Sequence, residues 1–425
     1  MSPSPLFAAY RVATTVMEPV GRPFLDWRLS RGKEDAGRLG ERLGHAGRAR
    51  PAGALVWLHG ASVGEGVSLL PLVDAFLARG VRVLLTTGTV NSARVLAGRL
   101  PAGVIHQFVP LDLPGAVRRF LAHWRPNLAV LAESELWPNL VDALHRAAVP
   151  LVLVNARMSE RSARRWGKAP GFIGALLGRT ALCLCQTEAD AARYRGLGAS
   201  RVAVAGLLKY DVPAPGADPE SVASFIAAVG SRPLWIAAST HADEEKALLD
   251  AHLALRRDVP EALTVFAPRQ PNRGAAILAE AQRFGIASAL RSRGDTVHAG
   301  IALYVADTLG ELGLWYRAAD LVFVGNSLLP PGGGQNPIEP ARLGCAVLHG
   351  PHTQNFTDVY PALDQAGGAA RVEDATHLAE AVATLLADPA RLRTMARAAS
   401  DVVEGQGGAT DRTMAALAPY LASAA

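Results

Sequence analysis

Several short clusters in the 425-residue sequence could do chemistry. In HGASVGEG, residues 59–66, Ser62 and Glu65 stand three apart. Residues Gly60 to Gly64 spell the Gly-x-Ser-x-Gly elbow that mounts a nucleophilic serine in α/β hydrolases, and Asp320 followed by His349 or His352 gives the usual order of partners. A chain with 41 glycines produces such a five-residue pattern easily. Glu65 has a different use: a carboxylate at a helix start can take a proton from an attacking hydroxyl, or can serve only as a first-turn acid favoured by the helix dipole. ESELW, residues 133–137, puts Glu133 and Glu135 on one side of an extended segment, where paired acids bind sugar hydroxyls or hold a base at a useful pKa. Lys209 in GLLKYD and Arg269 in APRQPNRG are cations able to meet a phosphate or carboxylate. The loop GNSLLPPGGGQNPIEPARLG, residues 325–344, has three consecutive glycines suited to an anion-binding turn. Asn336, Pro337 and Glu339 follow in capping-box order.

These residues need a scaffold. From about residue 53, apolar runs (ALVWLHG, VRVLLTTG, VIHQFVP, LAVLAE, PLVLVNA, ALCLCQT, RVAVAG) alternate with helical stretches. Strands apolar on both faces and joined by crossover helices imply a parallel sheet covered on both sides. After a Pro/Gly/Ala-rich patch near 212–224 the rhythm restarts with PLWIAAST, ALTVFAPR, IALYVADT, DLVFVGNS, CAVLHG and AARVED. The expected fold is α/β: two Rossmann-like, doubly wound parallel-sheet domains facing across a cleft, over 46–211 and 212–425, the second carrying the C-terminal helices. In such sheets functional groups collect at the carboxyl ends of strands. Glu65, Glu133, Glu135, Asn155 and Arg157 fall there in the first half, and Ser239, Thr240, His241, Arg269, Asp307 and Asn326 in the second.

Residues 1–45 form an expected amphipathic segment. Leu6, Tyr10, Ala13 and Met17 recur at helical spacing, and Phe24 and Trp27 lie among Arg22, Arg28, Arg31 and Lys33. Interrupting charges exclude a clear spanning helix. The pattern suits either a helix lying in an anionic membrane face or one packed on its own domain. Lys plus Arg exceed Asp plus Glu by only 43 to 38, and the basic residues lack aromatic interleaving, so nucleic acid is not an expected partner. Neither a P-loop nor a dinucleotide fingerprint is present. Cys183, Cys185 and Cys345 read as buried apolar residues, and no cluster has metal-ligand spacing.

Taken together, HGASVGE, ESELWPN, NARMS, STHADEE, DTLGELGLWY and GGGQNPIEPA resemble the 3-deoxy-D-manno-octulosonic acid (Kdo) transferases of bacterial lipid A biosynthesis. The resemblance implies a GT-B glycosyltransferase with an acceptor-binding N-terminal domain and a donor-binding C-terminal domain, held at the cytoplasmic face of the inner membrane. Its partners would be CMP-Kdo as donor substrate, the acylated lipid A precursor and the membrane surface, with inversion at the anomeric carbon and no cofactor or metal required. Carried onto this chain, Glu65 takes the place of the general base and Glu133 and Glu135 that of a second acidic motif. Lys209 matches the family's lysine beside the linker, and Asn155 and Arg157 fall on the acceptor side. Lys209, Ser239, Thr240, His241, Arg269, Asn326, Asn336 and Glu339 fall on the donor side. Two departures stand on that side: Gln270 and Gln335 occupy positions where the family usually has histidine. A serine hydrolase using Ser62 and a catalytically silent nucleotide-sugar binder are the alternatives.

Overall fold

The computed structural model describes residues 5–422. It divides into two compact units, one comprising residues up to Val212 together with those from Gln406 onward, the other Pro213–Gly405. The first unit holds strands β1 (Leu55–Gly60), β2 (Arg82–Thr87), β3 (Ile105–Phe108), β4 (Leu128–Ala132), β5 (Leu151–Ala156), β6 (Leu182–Cys185) and β7 (Val202–Val204). They lie in the order β3-β2-β1-β4-β5-β6-β7, and every pairing is parallel. The second unit holds β8 (Leu234–Thr240), β9 (Leu263–Pro268), β10 (Ser288–Leu290), β11 (Leu303–Val305), β12 (Leu321–Val324), β13 (Ala346–His349) and β14 (Ala369–Arg371). Their order is β10-β11-β9-β8-β12-β13-β14, again all parallel. Each unit is a doubly wound Rossmann-like sheet, as the apolar runs imply. The seventh strand of the second unit, β10, with only Ser288, Ala289 and Leu290, is absent from those runs.

The central strands are buried on both faces, and Trp57, Trp124, Trp235 and Trp315 are among the largest side chains withdrawn from water. Full burial of a large apolar side chain contributes about 1.5–3 kcal/mol. Crossover helices begin where strands end. Ser62, Thr89, Ser159 and Thr187 in the first unit, and Asp218 and Asp374 in the second, each accept a hydrogen bond from the amide three residues on. In both sheets the direction of winding reverses beside the first strand, between β1 and β4 and between β8 and β12. Crossover connections leave on opposite sides there, opening a crevice at the carboxyl edge.

Two boundaries differ from expectation. The helix Ala409–Ala422 does not stay with the second domain: Ala409, Met414 and Leu417 enter the first unit's core beside Leu58 and Val130. Asp211 accepts amide hydrogen bonds from Gly408 and Thr410, anchoring the return. Nor is the N-terminal segment a separate body. Phe7 is buried in the first unit, and the Tyr10 hydroxyl donates to Asp112 at 3.0 Å, so Tyr10 faces inward instead of joining an outer apolar stripe. Glu34, Arg28 and Arg42 form a buried ion network, with Arg28 Nε 2.6 Å from Glu34 and Arg42 Nη1 donating to the Val109 carbonyl at 2.8 Å.

His252, wholly buried beneath β9, lies 2.7 Å through Nδ1 from the Thr264 hydroxyl, and burial, with Arg256 nearby, holds its imidazole down to about 4. An unfolded imidazole, near 6.5, binds a proton that this one refuses. Stability is therefore fully present above pH 6.5 and lost as pH falls toward 4, by about 3 kcal/mol for this ring. Urea unfolding at pH 7 and pH 4.5 should show a fall in midpoint that His252→Gln reduces; an equal fall in the variant contradicts the assignment.

Candidate active site

In the first unit the site grows from the ends of β1 and β4. A Cβ on Gly60 would lie 2.7 Å from the Gly66 amide nitrogen, so only glycine lets the helix Val63–Ser68 sit this close on the strand. Ser62 caps that helix. Its hydroxyl accepts from the Glu65 amide at 3.3 Å and donates to Glu65 Oε1 at 2.7 Å, while Glu65 Oε2 accepts the Ala61 amide at 2.8 Å. This variant of the capping box fixes the Glu65 carboxylate at the crevice, half-buried. Among the described residues no histidine is bonded to Ser62, so the elbow lacks the histidine of a hydrolase triad. His349, its nominal partner, is buried and bonded to the Gly350 carbonyl and to Asp364.

Across the switch point, Glu133 follows β4 with a left-handed backbone, φ 56°. The Tyr194 hydroxyl lies 3.4 Å from both the Glu133 and Arg157 carbonyls, and the Ser134 hydroxyl donates to the latter, so the loops after β4 and β5 are tied together. Lys209, expected on the donor side, lies with Glu133, Glu65 and Arg157 in the first unit. It sits on the short turn Leu208–Asp211, whose first amide is held by Asn155 Oδ1 at 3.2 Å. Asn155 is itself buried and supports the lysine turn.

Burial pushes the Glu133 carboxyl up; Lys209 opposes this and Glu65 reinforces it, leaving the group above the ordinary carboxylate range. Burial pushes the Lys209 ammonium down against the pull of Glu133 and Glu65. An acid and an amine driven toward neutrality beside a partly exposed carboxylate is an arrangement that can exchange protons. Glu135 differs. Burial would raise it, but His59 and Trp137 outweigh that and hold it below its usual range. His59, fully buried at the end of β1, has Nε2 3.7 Å from Glu135 and Nδ1 2.9 Å from the Thr86 hydroxyl.

The second unit repeats the design between β8 and β12. Ser239 forms a bulge in β8 at φ 56°, and Asn326 follows β12 at φ 56°. Glu133, Asn155, Ser239 and Asn326 are four of the six non-glycine left-handed residues among those described. Such a backbone costs about 1–3 kcal/mol each and concentrates at functional sites. Glu244, overlooked in the sequence, holds the loops together: its buried carboxylate accepts the amides of His241, Asn326, Ser327 and Leu328. The signal was available in STHADEE, as a carboxylate three residues after His241. Gly325 is obligatory beside it, since a Cβ would meet Glu244 at 2.6 Å.

His241 Nε2 lies 3.0 Å from the amide nitrogen of Gln335, and burial first of all lowers the imidazole. Arg269 is exposed, its amide bonded to the Thr240 carbonyl; the Thr240 side chain is buried. Asn336 Oδ1 accepts the Ile338 amide at 3.1 Å, starting the helix Ile338–Arg342 that carries Glu339, one residue later than expected. Two amides of the glycine run, and the one after it, are already bonded within the chain. The amides of Gly333, Gly334 and Gln335 donate to the carbonyls of His352, Asn326 and Gly325, so they are spent within the chain.

Residues 37–212 match the family described as 3-deoxy-D-manno-octulosonic-acid transferase (kdotransferase). The 3-deoxy-D-manno-octulosonic acid transferase of Bordetella pertussis is 39% identical over 391 residues, 89% of this chain and 91% of that protein. The Haemophilus influenzae protein of the same name is 32% identical over 90% and 91%. This chain belongs to the Kdo transferase family. Among solved structures, the UDP-GlcNAc 2-epimerase of Neisseria meningitidis bound to UDP-GlcNAc superposes with a TM-score of 0.59 at 14% identity, over 86% of this chain and all of that one. Anabaena Alr3699/HepE in complex with UDP and glucose gives 0.56 at 14%, over 87% and 100%. These likenesses concern the GT-B fold alone. In this Kdo transferase no group of three or more His, Cys, Asp or Glu side chains among the described residues is placed to hold a metal ion.

Glu244→Gln leaves one oxygen acceptor where four amides need a carboxylate, and an unmatched buried donor costs about 1–3 kcal/mol. The expected outcome is faster hydrogen exchange at residues 326–328 and a lower melting temperature. Unchanged exchange there would remove Glu244 as the organiser of this loop.

Proposed function

We propose that this Kdo transferase moves Kdo from CMP-Kdo to the tetraacyl disaccharide bisphosphate precursor of lipid A, with inversion and without a required cofactor. The observation that carries the reading is Glu65, clamped by Ser62 and Ala61 at the first switch point beside Glu133 and Lys209. Glu65 takes the proton of an acceptor hydroxyl as its oxygen attacks the anomeric carbon of Kdo from the face opposite CMP. The bond from that carbon to the phosphate oxygen breaks, and CMP departs with the electron pair. Attack from the opposite face inverts the centre. Lys209 and Arg157 supply positive charge near the carboxylates, and Ser239, His241, Arg269, Asn326, Asn336 and Glu339 are the proposed donor contacts. Gln335, which meets His241, cannot carry a protonation-dependent charge, so it offers the donor only neutral hydrogen bonds.

Glu65→Gln keeps an acceptor oxygen for the Ala61 amide but loses the base, so turnover should fall by roughly 10²-fold with the fold retained. Ser62→Ala costs a helix cap of about 1 kcal/mol and should keep substantial activity. Mass-spectrometric transfer assays read both. Wild-type turnover in the first variant would remove Glu65 from the mechanism, and stoichiometric phosphonate labelling at Ser62 would point back to the hydrolase.

The proposed location is the cytoplasmic face of the inner membrane, held peripherally. No helix among the described residues is long and apolar enough to cross a membrane. Val16, Val20, Phe24 and Trp27 are exposed, Phe24 stacks on Trp27, and Arg31 lies over the Trp27 ring at 4.2 Å. Aromatic rings beside guanidiniums suit an anionic interface. Flotation on anionic liposomes should weaken in salt and drop sharply in Phe24→Ser/Trp27→Ser; equal flotation of variant and wild type would place the contact elsewhere.

A further inference from the structure

A second feature of the first unit lies away from the Glu65 site. The helices Pro5–Val16 and Pro138–Arg146, with Arg179 just beyond the helix Pro170–Leu177, enclose a groove of about 540 Å³. One carboxylate, Asp142, faces three guanidiniums, at 2.7 Å from Arg146, 3.6 Å from Arg179 and 4.0 Å from Arg11. Two formal positive charges are left over. Arg179, stacked over Phe7 at 5.2 Å, has a buried Nε with no hydrogen-bond partner among the described residues. The wall opposite is apolar and wet: Val12 and Val16 are 64% and 73% exposed. Arg146 lies eight residues beyond Pro138, about 12 Å along the helix from the end near Glu135.

We propose that this groove binds one anionic phospholipid, its phosphodiester on Arg11 and Arg146 and an acyl chain along Val12 and Val16. Charge complementarity selects the headgroup. Guanidiniums pair with the two non-bridging phosphate oxygens, and a zwitterionic headgroup brings an ammonium that the surplus arginines repel. The apolar wall selects an amphiphile over a free anion. The inference goes beyond the sugar-transfer reading and does not rest on which donor is used.

Native mass spectrometry of the full chain, released from detergent with phosphatidylglycerol, phosphatidylcholine or inorganic phosphate, tests it. One phosphatidylglycerol should be retained per chain in preference to phosphatidylcholine. At about 1 kcal/mol per arginine, Arg11→Ser/Arg146→Ser should weaken retention about thirtyfold. Arg94→Ser/Arg99→Ser, which removes the same charge from exposed positions elsewhere on this unit, should not. Val12→Ser/Val16→Ser should weaken retention with the charges intact. Equal retention of both lipids, equal loss in the control variant, or full displacement by inorganic phosphate overturns the proposal. So does retention of the acylated disaccharide bisphosphate alone, which would make the groove an acceptor site. Transfer in detergent should persist in Arg11→Ser/Arg146→Ser, so failure of the lipid site and failure of the sugar-transfer reading are told apart.

Discussion

Burying a parallel sheet on both faces leaves polar side chains mainly its edges, and the rest of the molecule follows from that constraint. Each sheet closes its central strands with apolar residues and lets the chemistry begin where the strand must turn into a helix. At that turn the backbone needs partners for its first free amides. Ser62 and Glu65 supply them after β1, and Glu244 supplies them for the loop after β12. The groups that end a strand are thus the groups that line the crevice. In Glu65 a structural duty and a chemical one share a side chain, because its two oxygens hold a helix start while the carboxylate stays partly exposed.

Desolvation sets the character of each site. Glu133 and Lys209 come from distant parts of the chain, yet burial shifts them in opposite directions and makes each the natural partner of the other. Glu135, only two residues from Glu133, is held ionised by His59 and Trp137. Neighbours in sequence therefore differ in proton affinity because they face different surroundings, which is how two carboxylates on one loop come to do different work.

The strands were legible because their period is simple: the apolar runs mark all seven strands of the first unit and six of the second. The polar residues at strand ends were legible for the same reason, since topology fixes their edge. What could not be read was side-chain direction and long-range return. Tyr10 fits an amphipathic stripe with Leu6 and Met17, but a hydrogen bond to Asp112, 102 positions away, turns it inward. The helix Ala409–Ala422 has an ordinary apolar face, and only Asp211 and the exposed flank of the first core decide where it docks. Lys209 stood beside the linker with nothing in its spacing to say which domain it served.

The glycine run at 332–334 serves the close packing of its own loop. The residues do adopt positive φ, at 53°, 139° and 74°. An anion cradle also needs free amides, and those of Gly333, Gly334 and Gln335 go to carbonyls of the adjoining loops. The glycines are needed for close approach: a Cβ on Gly333 would fall 2.4 Å from the Asn355 side chain, and one on Gly334 would fall 2.9 Å from Tyr360. That packing lets the Tyr360 hydroxyl reach the Gln335 carbonyl at 2.8 Å and holds the Gln335 amide against His241. The loop therefore withholds the amides of Gly333, Gly334 and Gln335 and presents side chains instead, with Gln335 set against His241 and Asn336 opening the helix that follows.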